Sequence, residues 1–119
     1  MDAKAFSEDM FRPADAKDVD GWTSFMTDDI RFVFGNGDPI QGRDTVHKVI
    51  TGFFDSIAAI KHTVVDAWSL DDKVVQQLRV LYTRHDGRQL DLPAANILTL
   101  RDGKVSEYLI YVDNHELYA

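Results

Sequence analysis

Two Asp-Gly dipeptides in the last third, Asp86-Gly87 and Asp102-Gly103, constrain this chain more than any other feature. Asp-Gly between alternating apolar and polar runs marks a tight hairpin turn, because the favoured turn needs positive φ at its centre. The flanking runs are residues 74–84, 89–100 and 105–113, so the last third reads as three antiparallel strands. With two-residue loops, His85 pairs with Arg88 and Arg101 with Lys104. Side chains alternate across a sheet, so register decides which residues share a face. Counting back, Gln77, Arg79, Leu81, Leu92, Ala94, Asn96, Leu109, Tyr111 and Asp113 fall together on a mixed face. Leu78, Val80, Tyr82, Pro93, Ala95, Ile97, Tyr108, Ile110 and Val112 fall on the other, which is nearly all apolar. Function turns on which face lines a cavity.

The rest of the chain supplies cover for that sheet. Residues 6–11 form a first short helix stopped by Pro13. Asp18 caps a second, with Asp20 in its first turn and Val19, Trp22, Phe25 and Met26 at helical spacing. Residues 30–34 alternate as a strand with Phe32 and Phe34 on one side. The loop Gly35-Asn36-Gly37-Asp38-Pro39 lacks the spacing of a dinucleotide or phosphate loop. Residues 42–58 read as the clearest helix, with Val46, Val49, Ile50, Phe53, Phe54, Ile57 and Ala58 as its apolar stripe. Residues 60–70 are a further strand placing His62, Val64, Asp66 and Trp68 on one side. The fold class is α+β, a curved antiparallel sheet with helices packed on its concave side, in one domain spanning 1–119. A conical space between sheet and helices is a common small-molecule site.

Composition narrows the partners. A net charge of −7 repels phosphate backbones, which argues against nucleic acid. Without cysteine there is no disulfide and no thiolate nucleophile. His47, His62, His85 and His115 show no metal-ligand spacing, so no metal and no cofactor is expected. No basic-then-apolar leader follows Met1 and no apolar run reaches membrane length, so the expectation is a cytoplasmic protein without a membrane partner.

The run Asp18-Val19-Asp20-Gly21-Trp22 to Phe25-Met26-Thr27-Asp28-Asp29, then Gly42-Arg43-Asp44, Arg101-Asp102-Gly103-Lys104-Val105 and Tyr111-Val112-Asp113, resembles the nuclear-transport-factor-2-like superfamily. Within it the chain is similar to SnoaL-like and ketosteroid-isomerase-like proteins, over residues 6–117. The resemblance implies the same α+β cone, commonly dimeric through the outside of the sheet. It also implies metal-free proton-transfer chemistry on apolar ring substrates, as in ketosteroid isomerase, limonene epoxide hydrolase, scytalone dehydratase and SnoaL-like cyclases. Against ketosteroid isomerase, the base falls on Phe34, the oxyanion-hole tyrosine near Met10, and the oxyanion-hole acid on Asn96. Against limonene epoxide hydrolase, the Asp-Arg-Asp set falls on Arg79, Gln77 and Asp113, and its water-holding partners on Phe32 and Phe34. Neither reference set is intact.

Two functional readings follow. In the first, a cofactor-independent isomerase or lyase acts on an apolar cyclic oxygenated metabolite. Asp113 is the base, Arg79 its counter-charge, and Asn96 and Tyr111 the oxyanion donors. Trp22, Phe32, Phe34, Phe53, Phe54, His62, Gln77, Leu81, Leu92, Ala94 and Leu109 line the pocket, with His62 the alternative acid–base group. In the second, the same cone is a non-catalytic ligand-binding or protein-interaction module. An aromatic plug of Trp22, Phe32 and Phe34 would favour the second reading, and an open cavity reaching Asp113 the first. The apolar face with Tyr82, Ile97, Tyr108 and Ile110 is then the expected homodimer surface.

Overall fold

The register of the first hairpin decides what faces the core, and it differs by one residue from the sequence expectation. In the computed structural model, which describes residues Met1–Ala119, β4 (Lys73–Thr83) pairs with β5 (Gln89–Arg101) so that Thr83 faces Gln89 and Gln76 faces Asn96. The Arg84 N–H donates to the Arg88 carbonyl and the Gly87 N–H to the Arg84 carbonyl, so the loop holds His85, Asp86 and Gly87. Only Gly87 has positive φ there (87°), as in a three-residue loop that ends in a glycine bulge. The second turn is the expected one. Asp102 and Gly103 both have positive φ, 53° and 79°, and Arg101 pairs with Lys104. However, a bulge between Thr99 and Leu100 shifts β5 against β6 (Lys104–Val112), so Asn96 faces Ile110 rather than Leu109.

Each one-residue slip turns a strand's side chains over. Asn96, Ala94 and Leu92 therefore do face the helices, but Gln77, Arg79, Leu81, Leu109 and Tyr111 face away from them. Their neighbours Gln76, Leu78, Val80, Tyr82, Tyr108 and Ile110 are buried instead. The expected dimer face is corrected by the same slip. Tyr82, Tyr108 and Ile110 are core residues, and only Ile97 lies on the outer side.

The remaining elements are α1 (Ala3–Asp15), α2 (Val19–Thr23), β1 (Met26–Phe34), β2 (Ile40–Gln41), α3 (Arg43–Asp55), β3 (Ala59–Leu70) and a 3-10 turn at His115–Tyr118. The sheet is curved and unclosed, in the order β2-β1-β6-β5-β4-β3. β3 to β6 form the expected meander, while β1 joins β6 in parallel, so the sheet is mixed at that edge. Pro13 does not stop α1 at residue 11 but sits in its last turn, where the bond it cannot donate concerns the exposed Asp9. Asp18 caps α2 by accepting the Gly21 N–H at 3.0 Å. α2 ends at Thr23, and Met26 already belongs to β1 rather than to the helix.

β3 carries a bulge between Val64 and Asp66. His62 and Val64 stay on the inner side. Beyond the bulge Ala67 faces Gln76 inside, which turns Asp66 and Trp68 outward and leaves Trp68 half exposed. One core fills the space between helices and sheet, from Met10, Phe11 and Ala14 of α1 to Val46, Ile50 and Phe54 of α3. No helix is long and apolar enough to cross a membrane.

Candidate functional site

The aromatic residues that close the cone do so by packing on one another. Trp22 stacks on Phe54 at 5.7 Å and meets Tyr108 edge-on at 6.0 Å, while Phe34 and Phe53 lie 5.5 Å apart. Stacked and edge-on contacts of this kind are the arrangements aromatic rings prefer. A cavity of about 340 Å³ is lined by Trp22, Phe32, Phe34, Val49, Ile50, Phe53, Asn114 and Tyr118. Behind Trp22, Phe34 and Phe53 lies a second space of about 20 Å³, which also touches His62, Ala94, Asn96, Tyr108 and Ile110.

The inner space carries the polar groups. His62 Nδ1 lies 2.6 Å from Asp15 Oδ1, and the same oxygen accepts the His62 backbone N–H at 3.0 Å. Asp15 ends α1 and His62 sits on β3, so this clasp joins helix to sheet. Phe11 stacks on the imidazole at 4.1 Å, leaving the side chain 8% exposed. With Nδ1 committed to a carboxylate, Nε2 is the ring nitrogen left without a hydrogen bond to the protein. Asn96 Nδ2 donates to Gln76 Oε1 at 3.0 Å, Gln76 Nε2 donates to Ser7 Oγ at 2.9 Å, and Ser7 Oγ donates to the Ala3 carbonyl at 2.7 Å.

Three buried polar atoms have no partner: Trp22 Nε1, Asn96 Oδ1 and the Tyr108 hydroxyl. Burial pushes the Tyr108 hydroxyl far above the usual phenol range, so it is neutral and able to donate. Trp22 N–H lies near enough to oppose that shift slightly, without forming a bond of acceptable geometry. An unmet buried donor or acceptor costs about 1–3 kcal/mol, so three around one small space point to a polar occupant. No group of three or more His, Asp or Glu side chains is placed to hold a metal ion.

The expected site residues are thus divided. Trp22, Phe32, Phe34 and Phe53 line the outer cavity, and His62, Ala94 and Asn96 the inner space. Phe54 is core behind Trp22, and Leu92 packs against the core without lining either space. The others are placed elsewhere by the register slip. Arg79 bonds Asp91 at 3.1 Å on the outer face, where Gln77 and a 54%-exposed Tyr111 also lie, with Leu81 and Leu109 beside them. Asp113 is exposed at the end of β6 beside a separate surface depression with Asn36 and His115. His115 bonds it at 2.7 Å and holds its carboxyl below the usual range. The cavity reaches Asn114 instead of Asp113, and Arg79 is no neighbour of either.

Sequence reasoning missed Asp15, Gln76, Ser7 and Tyr108. Gln76 and Tyr108 follow at once from the correct register. Asp15 and Ser7 are ordinary polar residues of α1 that no spacing distinguishes.

A SnoaL-like domain family model matches residues 7–108. No curated protein matches the sequence. Among solved structures, a SnoaL-like protein from Jannaschia provisionally assigned as a polyketide cyclase superposes with a TM-score of 0.82 at 20% identity, over 94% of this chain and 85% of that one. A protein from Catenulispora acidiphila with a ketosteroid-isomerase-like fold, in complex with trimethylamine, gives 0.86 at 13% identity, over 94% and 88%. TerC, co-crystallised with polyporic acid, gives 0.84 at 19% identity, over 98% of each chain. With this fold and a family model matched over most of its length, the chain belongs to the SnoaL-like domain family of the nuclear-transport-factor-2-like superfamily.

Proposed function

We propose that this protein is a cofactor-independent proton-transfer enzyme, of isomerase or lyase type, for a small apolar cyclic molecule bearing a carbonyl. One observation carries the reading: His62, bonded to Asp15 and shielded by Phe11, borders the inner space that the unpartnered Trp22 and Tyr108 also line. The ring of the ligand would occupy the aromatic cavity, as apolar surface leaving water favours. His62 Nε2 would take a proton from the carbon next to the carbonyl, and Asp15 would stabilise the imidazolium so formed. The charge developing on oxygen would be met by Trp22 N–H and Tyr108 O–H, donors already fixed in place. His62 would then return the proton to a different atom of the ligand. Neighbours crystallised with trimethylamine and polyporic acid support a small-molecule role.

A narrow inner space of about 20 Å³ favours a second reading, a ligand carrier in which rings stop short of His62. Proton exchange separates the two. With 2-tetralone in deuterated buffer, NMR should show enzyme-dependent loss of its α-protons, and His62→Gln should slow this about a hundredfold or more. Exchange at the buffer rate with ligand still bound would leave the carrier. The outer sheet face, with Trp68, Ile97 and Tyr111, supports a homodimer packed sheet to sheet.

A further inference from the structure

We infer that the inner space favours ligands whose entering oxygen carries a proton, a phenol or the enol hydroxyl of the carbonyl substrate proposed above over its keto form, because Asn96 keeps an unpartnered carbonyl oxygen there. The inference rests on the ring-binding pocket just proposed and adds its chemical selectivity. The direction of the buried side-chain relay is fixed at its far end. Ser7 Oγ lies 2.7 Å from the Ala3 carbonyl, a group that only accepts. Two oxygens so close repel unless a proton lies between them, so the single Ser7 hydroxyl proton is committed to Ala3. Towards Gln76, Ser7 can then only accept. The Gln76 group 2.9 Å away must be its NH2, which turns the Gln76 carbonyl towards Asn96. Asn96 must meet that oxygen, 3.0 Å away, with its own NH2. The Asn96 carbonyl oxygen is left over, fully buried and without a partner, on a side chain that lines the inner space.

This reverses the role expected for Asn96 as an oxyanion donor. One amide N–H of Asn96 is taken by Gln76, so charge developing on the ligand oxygen is left to Trp22 N–H and Tyr108 O–H. A protonated oxygen fits instead, accepting from Trp22 N–H while donating to Asn96 Oδ1. The space of about 20 Å³ has room for roughly one such group, since a single water-sized sphere needs about 10–15 Å³. A methyl ether at the same place brings an acceptor to an acceptor and leaves Asn96 unmet.

The test compares 2-naphthol with 2-methoxynaphthalene by calorimetric titration at neutral pH, on the wild type, Asn96→Leu and Ser7→Ala. The wild type should bind the naphthol roughly tenfold tighter than the ether. Asn96→Leu keeps the branching and heavy-atom number of the side chain while removing its carbonyl, and the ratio should fall to near one. Ser7 touches neither cavity, yet Ser7→Ala removes the anchor and lets the relay reverse, so its ratio should also fall towards one. Equal binding of both probes to the wild type overturns the inference while the pocket reading stands. A preference that persists in the variants overturns it too, because it would then be steric. If Asn96→Leu does not fold, the Ser7→Ala ratio decides. Failure of both probes to bind the wild type overturns the pocket reading and this inference with it.

Discussion

Replacing Gln76 by leucine tests the inner face of the sheet and the relay together. Gln76 is fully buried and makes a hydrogen bond at each end. Its loss strands the Asn96 NH2 in the core, at about 1–3 kcal/mol. Ser7 loses an accepted bond but keeps its own to Ala3, so its share is smaller, roughly 0.5–1 kcal/mol. Burying a leucine in place of an amide returns about 1 kcal/mol. The net loss is about 0.5–3 kcal/mol, or roughly 2–12 °C in melting temperature for a domain of this size. The informative comparison is with Asn96→Leu added. Removing both partners together leaves no stranded amide, so the double variant should be more stable than Gln76→Leu alone. Gln77→Leu, on the exposed outer face, should change stability by less than about 0.5 kcal/mol. Urea denaturation of the four proteins decides the matter. A neutral Gln76→Leu, an equally costly Gln77→Leu, or a double variant weaker than the single would refute the reasoning.

Arg79→Met breaks an exposed ion pair with Asp91 and a hydrogen bond to its carbonyl, and should cost less than about 1 kcal/mol, with 2-tetralone exchange unchanged. Gly21→Ala would push a Cβ into Asp18 and within 2.8 Å of Pro13, so it should lose the α2 cap, about 1–2 kcal/mol, and shift Trp22 fluorescence. Asp29 is held at about 2, against 3.8 for the free group, by hydrogen bonds from Arg101 and Thr27. Its depressed value contributes stability that is complete above pH 3.8 and is lost as pH falls through about 2. Asp29→Asn should therefore flatten the acid limb of the urea midpoint within that window.

How much of this was legible in the sequence depends on what each signal can fix. Alternation and Asp-Gly turns are local, and they located the strands, the meander and the α+β class. Register is also local, but it hangs on turn type, and Asp-Gly serves both a two-residue loop and a three-residue loop with a glycine bulge. Asp102-Gly103 is the first kind and Asp86-Gly87 the second. That single ambiguity, with the bulge at Thr99, exchanged Gln77 for Gln76 and Tyr111 for Tyr108 or Ile110. It drew Arg79 and Asp113 into a cavity that neither borders. The aromatic lining was readable because large rings on several amphipathic elements have few other places to go. Asp15 was not readable, since its contact with His62 spans 47 residues and exists only once α1 lies across β3.

The central claim is that ligand enters the cone beside His62 and not the outer face of the sheet. The two tryptophans report on these two places, since Trp22 lines both spaces with its indole N–H unpartnered and Trp68 is half exposed outside. A ¹H–¹⁵N spectrum should resolve their indole signals, assigned with Trp68→Phe. Titration with 2-naphthol should move the Trp22 indole signal downfield, as its N–H gains an acceptor, and leave Trp68 in place. A shift of Trp68 with Trp22 unmoved would contradict the account.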